Sequence, residues 1–358
     1  MADNWARMKL NSKLLLLSTF LFLPSVGTST SDIGYTPVRT YFGQSIWDLP
    51  AVPENQIDIG LWALVIAKEY DSSVDVVKCL YTLDSMAEII TEMVGPRDLD
   101  MVKLVMTKMF LYDTGVWNDG RTFMYDLDDP LGEKPGTQLL TTYLHSHKGN
   151  CVSMPTLFIA LMERIDPSVP FYGVVAPLHL FCRMRDRQSG ENWNVETTNG
   201  GNNMRDEWII EQFGIPIAAI DSGSYLQNLS KKVYLAEIIG TLVAKYRYAG
   251  EYDRALRYAE LMLQLNPKSL IGLVQKGALL DWLAFEMRKM IMAENRSPDA
   301  DEKRKLKLYH QQSEYYIARA MSLGWQPESP EGRERYLEFV NRNKNQLLKS
   351  GEKNEERK

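Results

Sequence analysis

His145-Ser146-His147-Lys148-Gly149-Asn150-Cys151-Val152-Ser153-Met154-Pro155 is the stretch on which the reading of this chain turns. A glycine and an asparagine lead into a cysteine, and an apolar series comes after it. Met154, Leu157, Phe158, Leu161 and Ile165 recur at helical rather than strand spacing. Asn150 or Ser153 is suited to cap that helix, and Pro155 is tolerated only in its first turns, where few amides need partners. Either cap leaves the Cys151 sulfur near the positive end of a helix macrodipole. Such a position favours thiolate over thiol, and thiolate is the attacking form. A buried structural cysteine would carry the same local signature, so the rest of the chain has to decide.

Downstream the pattern changes to strands. Phe171 to Ala176, Leu178 to Met184 and Trp193 to Thr197 are β-prone runs, with Pro177 parting the first two and a hairpin loop expected over Asp186 to Asn192. Alternation puts His179, Phe181 and Arg183 on one face of the second run, and Asn194 and Glu196 on one face of the third. Adjacent antiparallel strands would then bring His179 beside Glu196 or Asn194. A thiol nucleophile needs an imidazole and a group that orients it. Cys151, His179 and Glu196 supply that set, with Asn194 as an alternative orienter. The Cys151 amide and the Trp117 indole are candidate oxyanion donors. His145 and His147 read as solvated loop residues.

Upstream, helices are expected around Leu61–Lys68, Val76–Val94 (stopped by Gly95-Pro96) and Val102–Phe110, with a short one over Leu139–Leu144. Residues 113–138 read as a long loop. Its Asp126, Asp128 and Asp129 do not have the spacing of a calcium loop, so no metal and no cofactor is expected. Arg7, Lys9 and Lys13 precede an apolar run from Leu14 to Leu23, and then come Pro24, Ser25 and Gly27. That is the order of an export signal, too short to span a bilayer comfortably. The mature protein is accordingly expected to be exported, periplasmic or secreted, without a stable membrane span. Three cysteines in an oxidising compartment leave room for one bridge, Cys79–Cys182, and a free Cys151. A net charge of −5 and the lack of a basic stripe interleaved with aromatics argue against nucleic-acid binding.

From about residue 230 the chain is helical. Tyr246, Gly250, Ala255, Pro267 and then Gly277 match the spacing of the tetratricopeptide helix–turn–helix repeat. Ala293 to Lys305 is a polar insertion, and Tyr315, Tyr316, Ala318 and Ala320 resemble the second helix of a degenerate repeat. Residues 57–201 resemble the transglutaminase-like superfamily, in its bacterial SirB-type branch, which often carries such repeats after the domain. The likeness lies in the helices from Ile57 to Tyr112, Gly149 to Ile165, Tyr172-Gly173-Val174-Val175-Ala176-Pro177-Leu178-His179-Leu180-Phe181, and Asn194-Val195-Glu196-Thr197-Thr198-Asn199-Gly200-Gly201. It implies a papain-like α+β fold with a Cys-His-Asp triad. Cys151 matches the nucleophile, His179 the base, and Glu196 the acid, as glutamate in place of aspartate.

The expected organisation is a signal peptide over 1–27, an extension over 28–56, a transglutaminase-like domain over 57–222, a tetratricopeptide-like domain over 230–345 and a charged tail over 346–358. Two functions compete. One is a thiol enzyme acting on amide or peptide bonds. The other is a scaffold whose repeats grip a protein or peptide partner while the first domain binds without turnover.

Overall fold

A computed structural model describes residues 39–327, 333–335 and 337–339. The expected export signal, residues 28–38 and the charged tail lie outside the described residues. Within the extension, Ser45 caps a short 3-10 turn, Ile46–Ala51, and Asp48 accepts a hydrogen bond from the Ser45 amide at 2.8 Å. The turn buries Ile46 and Leu49 completely. Those two side chains make this part of the extension a piece of the core.

Helix α1 (Ile59–Tyr70) begins at Asp58, whose carboxylate accepts from the Leu61 amide. Every residue from Ile59 to Ala67 is buried, as expected of a helix apolar on all sides. Around it stand α2 (Val76–Val94), which Gly95 ends at a φ of 64°, and α3 (Asp100–Tyr112). The loop after α3 carries β1 (Met124–Tyr125), which pairs in parallel with β2 (Lys148–Gly149); α4 (Leu140–Ser146) lies between them in sequence. Helix α5 (Ser153–Ile165) then crosses the core and packs against α1, α2 and the main sheet.

That sheet is an antiparallel meander of β3 (Phe171–Ala176), β4 (His179–Arg185), β5 (Asn192–Glu196) and β6 (Asn202–Met204), hydrogen-bonded in chain order. Leu180, Cys182, Met184 and Val195 join the main core with α5. Val174, Ala176 and Phe181 form a smaller cluster with Ile209 of α6 (Asp206–Phe213), Ile215 and Leu226. A one-turn α7 (Ile217–Asp221) comes next. The arrangement is mixed helix and sheet, in keeping with the expected α+β class.

The chain closes on α8 (Lys231–Tyr248), α9 (Tyr252–Leu265), α10 (Leu270–Ala293) and α11 (Ala300–Ser322), the last three each packed on the helix before it. Small residues set the spacing. Ala255 and Ala259 are fully buried, and a Cβ on Gly277 would stand 3.0 Å from Ile317. The polar stretch from Ala293 to Lys305 forms the turn and the first part of α11, where Arg296 pairs with Glu302 at 2.6 Å. Helix α8 also packs on α1 and β3. Its Tyr234 ring lies where a side chain at Gly173 would be, the nearest carbon only 2.1 Å from the ideal Cβ position. The Tyr234 hydroxyl meets that of Thr156 on α5 at 2.8 Å. Among the described residues, no helix is long and apolar enough to cross a membrane.

Candidate functional site

The stretch from His145 to Pro155 folds as a tight hook into α5. Gly149 can only be glycine without rearrangement, since a Cβ there would lie 2.6 Å from the Tyr143 ring and 2.9 Å from Met154. Asn150, almost wholly buried, braces the turn into the helix: its Oδ1 accepts from the Val152 and Ser153 amides at 3.1 and 3.3 Å. In return the Asn150 amide donates to Ser153 Oγ at 3.1 Å. The residue directly before α5 is Val152, with no side-chain cap, and the expected candidates Asn150 and Ser153 instead bond to each other across the turn into the helix. Cys151 is left half-buried at the mouth of α5, its thiol donating to the Leu178 carbonyl at 3.8 Å.

Leu178 belongs to the two-residue turn, Pro177-Leu178, that joins β3 to β4. Its φ of +57° is a left-handed conformation that a leucine seldom adopts, and its side chain is half exposed. A non-glycine residue held there marks a place where surrounding structure over-determines the backbone. Beside the turn opens a cavity of about 360 Å³, lined among others by Pro177, Leu178, Phe213, Tyr225, Glu237 and Arg335. Burial pushes the Glu237 carboxyl up, against hydrogen bonds from Ser269 and Asn266.

His179 starts β4 immediately after this turn. Its Nε2 is 2.6 Å from Glu196 Oε2, and both side chains are buried. Glu196 Oε1 accepts from the Thr198 amide at 2.8 Å and from its hydroxyl at 2.6 Å, so the carboxylate is held at both oxygens. His179 Nδ1 is buried with no close nitrogen or oxygen partner, and the Cys151 side chain acts on the ring both as a hydrogen-bonding group and through its charge. Burial works against a charged imidazole here. The Glu196 carboxylate and the Cys151 sulfur outweigh it and hold the His179 pKa up at about 10. Around the ring, Phe213 stacks at 5.1 Å and 16°, and Phe339 stands edge-on at 5.6 Å and 81°.

The expected trio is therefore gathered in one place. The other candidates are spent elsewhere. Asn194 sits directly across from Arg183 in the ladder and accepts from Arg183 Nε at 2.6 Å. Its amide donates to the Met204 carbonyl and to Asp206, so it does not orient His179. The Trp117 indole donates to the Met109 carbonyl at 3.2 Å, at the end of α3, and is committed there. No Cys79–Cys182 bridge forms. All three thiols are free, with Cys79 on α2 and Cys182 enclosed between β4 and α5 beside the Pro155 carbonyl. Burial raises the pKa of both Cys79 and Cys182. His145 is exposed, whereas His147 is half-buried and stacks on Phe123 at 4.0 Å.

The acidic loop is likewise occupied by its own chain. Asp128 pairs with Lys148 at 2.6 Å, and Asp129 accepts from the Glu133 and Lys134 amides and the Thr137 hydroxyl. Among the described residues, no grouping of His, Cys, Asp or Glu could hold a metal ion. Sequence reasoning misses Leu178, Phe213 and Phe339. A leucine following proline in a two-residue hairpin turn is the available signal for Leu178, because that position favours a left-handed backbone. For the two phenylalanines no local signal exists, since each reaches His179 only through the tertiary fold.

No family model matches the chain, and no solved structure matches it. Among curated proteins it resembles the UPF0162 protein YchA of Escherichia coli strain K12, with 25% identity over 224 residues, covering 62% of this chain and 77% of that protein. It also resembles protein SirB1 of Salmonella typhimurium, with 23% identity over 150 residues, covering 41% of this chain and 54% of that protein. Neither name states an activity. The likeness is distant.

Proposed function

We propose that the protein is a thiol enzyme of transglutaminase-like type, acting on amide or peptide bonds through Cys151, His179 and Glu196. The observation that carries this reading is the buried 2.6 Å contact between His179 Nε2 and Glu196, which leaves the opposite ring nitrogen to the half-buried Cys151 thiol. With His179 held charged at neutral pH, the resting pair is one in which Nδ1 already carries the Cys151 proton, and the sulfur adds to the carbonyl carbon as thiolate. The carbonyl oxygen takes the negative charge, with the Cys151 amide as a donor to it. The C–N bond then breaks, and the amine departs with the proton held by His179. Water or a second amine attacks the thioester, returns a proton through His179 and frees the thiol. Glu196 fixes the ring and balances the imidazolium charge.

Iodoacetamide and peptide mapping test this reading. Cys151 is expected to be alkylated at least tenfold faster than Cys79 or Cys182 in the native protein, with the preference fading at low pH. Equal labelling of the three thiols would remove the case for an activated nucleophile.

A scaffold reading has one observation in its favour. On α10, Trp282 and Phe285 are about half exposed, and Trp282 stacks on Tyr252 at 5.7 Å, which gives a surface suited to an apolar peptide. We read α8 to α11 as tetratricopeptide-like and assign partner binding to them, alongside catalysis. Full biological activity in a Cys151→Ala chain would favour the scaffold alone. We also infer export, and N-terminal sequencing of the mature protein tests it by cleavage after Gly27.

A further inference from the structure

Three aromatic rings surround His179. Phe213 of α6 lies flat against the imidazole, and Phe181 of β4 lies nearly parallel at 6.4 Å. Phe339, from the helical segment near the end of the described chain, adds a third ring, edge-on at 5.6 Å. Phe339 is 4% exposed, meets Phe213 at 5.4 Å and leans on Trp208 at 5.9 Å, so it is seated among rings contributed by other elements. We propose that Phe339 is a positioning residue for His179: it completes the wall that keeps water from the His179–Glu196 hydrogen bond and fixes the plane in which the imidazole faces Cys151.

The physical reason is dielectric. A carboxylate and an imidazolium attract strongly only where water is kept away, and a buried pair opened to solvent loses most of that attraction. Glu196 is already shut in by the turn after it, where Thr198 takes its second oxygen. His179 has no such local cover, because it opens a strand beside an exposed turn. Its enclosure therefore depends on side chains delivered from a distance. The charged and titratable groups around it are few. Glu196 comes from β5 and Cys151 from the mouth of α5. Arg183, further along β4, is already matched by Asp206 at the start of α6. The C-terminal segment turns Phe339 toward the ring, while its Arg335 lines the neighbouring cavity.

This proposal concerns the same site as the thiol-enzyme reading and rests on that reading only for its catalytic consequence. Its test needs no turnover. In the full chain, proton NMR follows the Nε2–H of His179, assigned by its loss in His179→Gln, together with the pH titration of the ring. In the native protein the proton is expected to exchange slowly and the ring to stay charged through neutral pH. Phe339→Ala should speed the exchange at least tenfold and move the titration midpoint down by about a unit or more, toward the ordinary histidine range. Phe339→Leu, which keeps the apolar bulk, should restore most of the native behaviour. Phe339→Val gives the same comparison with roughly threefold faster exchange, should the alanine variant fail to fold. Native exchange and titration in folded Phe339→Ala, or in folded Phe339→Val, would overturn the proposal. A chain that shows the expected ring behaviour with unselective Cys151 labelling would instead sink the enzyme and leave the role of Phe339 standing.

Discussion

Two polar pairs stand on the same face of the same two strands, and they are built to opposite ends. Arg183 and Asn194 lie directly opposite each other in the β4–β5 ladder. Every arm of that arginine is engaged, with Asn194 on Nε, the Leu226 carbonyl and Asn228 on Nη1, and Asp206 on Nη2. His179 and Glu196 sit toward the other end of the pairing. There the carboxylate is saturated, but one ring nitrogen has no nitrogen or oxygen partner and only the Cys151 thiol beside it. A saturated buried network fixes a structure, whereas a buried polar atom left open demands a specific reason. The difference between the two pairs separates residues that hold the sheet from residues with capacity left for chemistry.

The contrast fails most visibly if Arg183 proves dispensable. Arg183→Ala leaves Asn194 and the Leu226 carbonyl without their partner and is expected to cost about 3 kcal/mol, read from urea denaturation. Alkylation of Cys151 in the folded fraction should be unchanged. Glu196→Gln should do the reverse. A loss of about 2 kcal/mol is expected from weakening one charged hydrogen bond, with Cys151 alkylation slowed by roughly 100-fold. Similar labelling losses in both variants would erase the distinction.

Acidity sharpens it further. His179 holds its proton more tightly folded than unfolded, so its contribution to stability is complete below about pH 6.5. That contribution fades as pH rises through the folded value of about 10. The gap in denaturation midpoint between the native chain and Glu196→Gln should accordingly narrow from neutral pH toward pH 10. A constant gap would show that the pair carries no such linkage. The smallest effect belongs to Cys151→Ala. With a half-buried sulfur and a long 3.8 Å contact to Leu178, the change should stay within about 1 kcal/mol, although the alkylation site is gone.

Much of this site is legible in the chain itself. Helical spacing after Cys151 and strand alternation at His179 and Glu196 are local properties, and both are written in runs of consecutive residues. Alternation also places Asn194 and Glu196 on one face but does not choose between them. Register decides that choice: Asn194 falls opposite Arg183, and Glu196 falls where it can reach His179 diagonally. The short strands β1, β2 and β6 and the helices α6 and α7 escape a sequence reading because each is too brief to show a period. Trp117 and Cys79 are candidates by residue type alone. Their actual neighbours, the Met109 carbonyl for one and the surface of α2 for the other, are set by packing that no spacing announces.

One contact joins the two ends of the chain's business. Because the Tyr234 ring fills the side-chain space above Gly173 and its hydroxyl holds Thr156, helix α8 is keyed at once into the sheet that carries the imidazole and the helix that carries the thiol. The packing of the C-terminal helices is thereby fixed against both elements of the site through a single side chain.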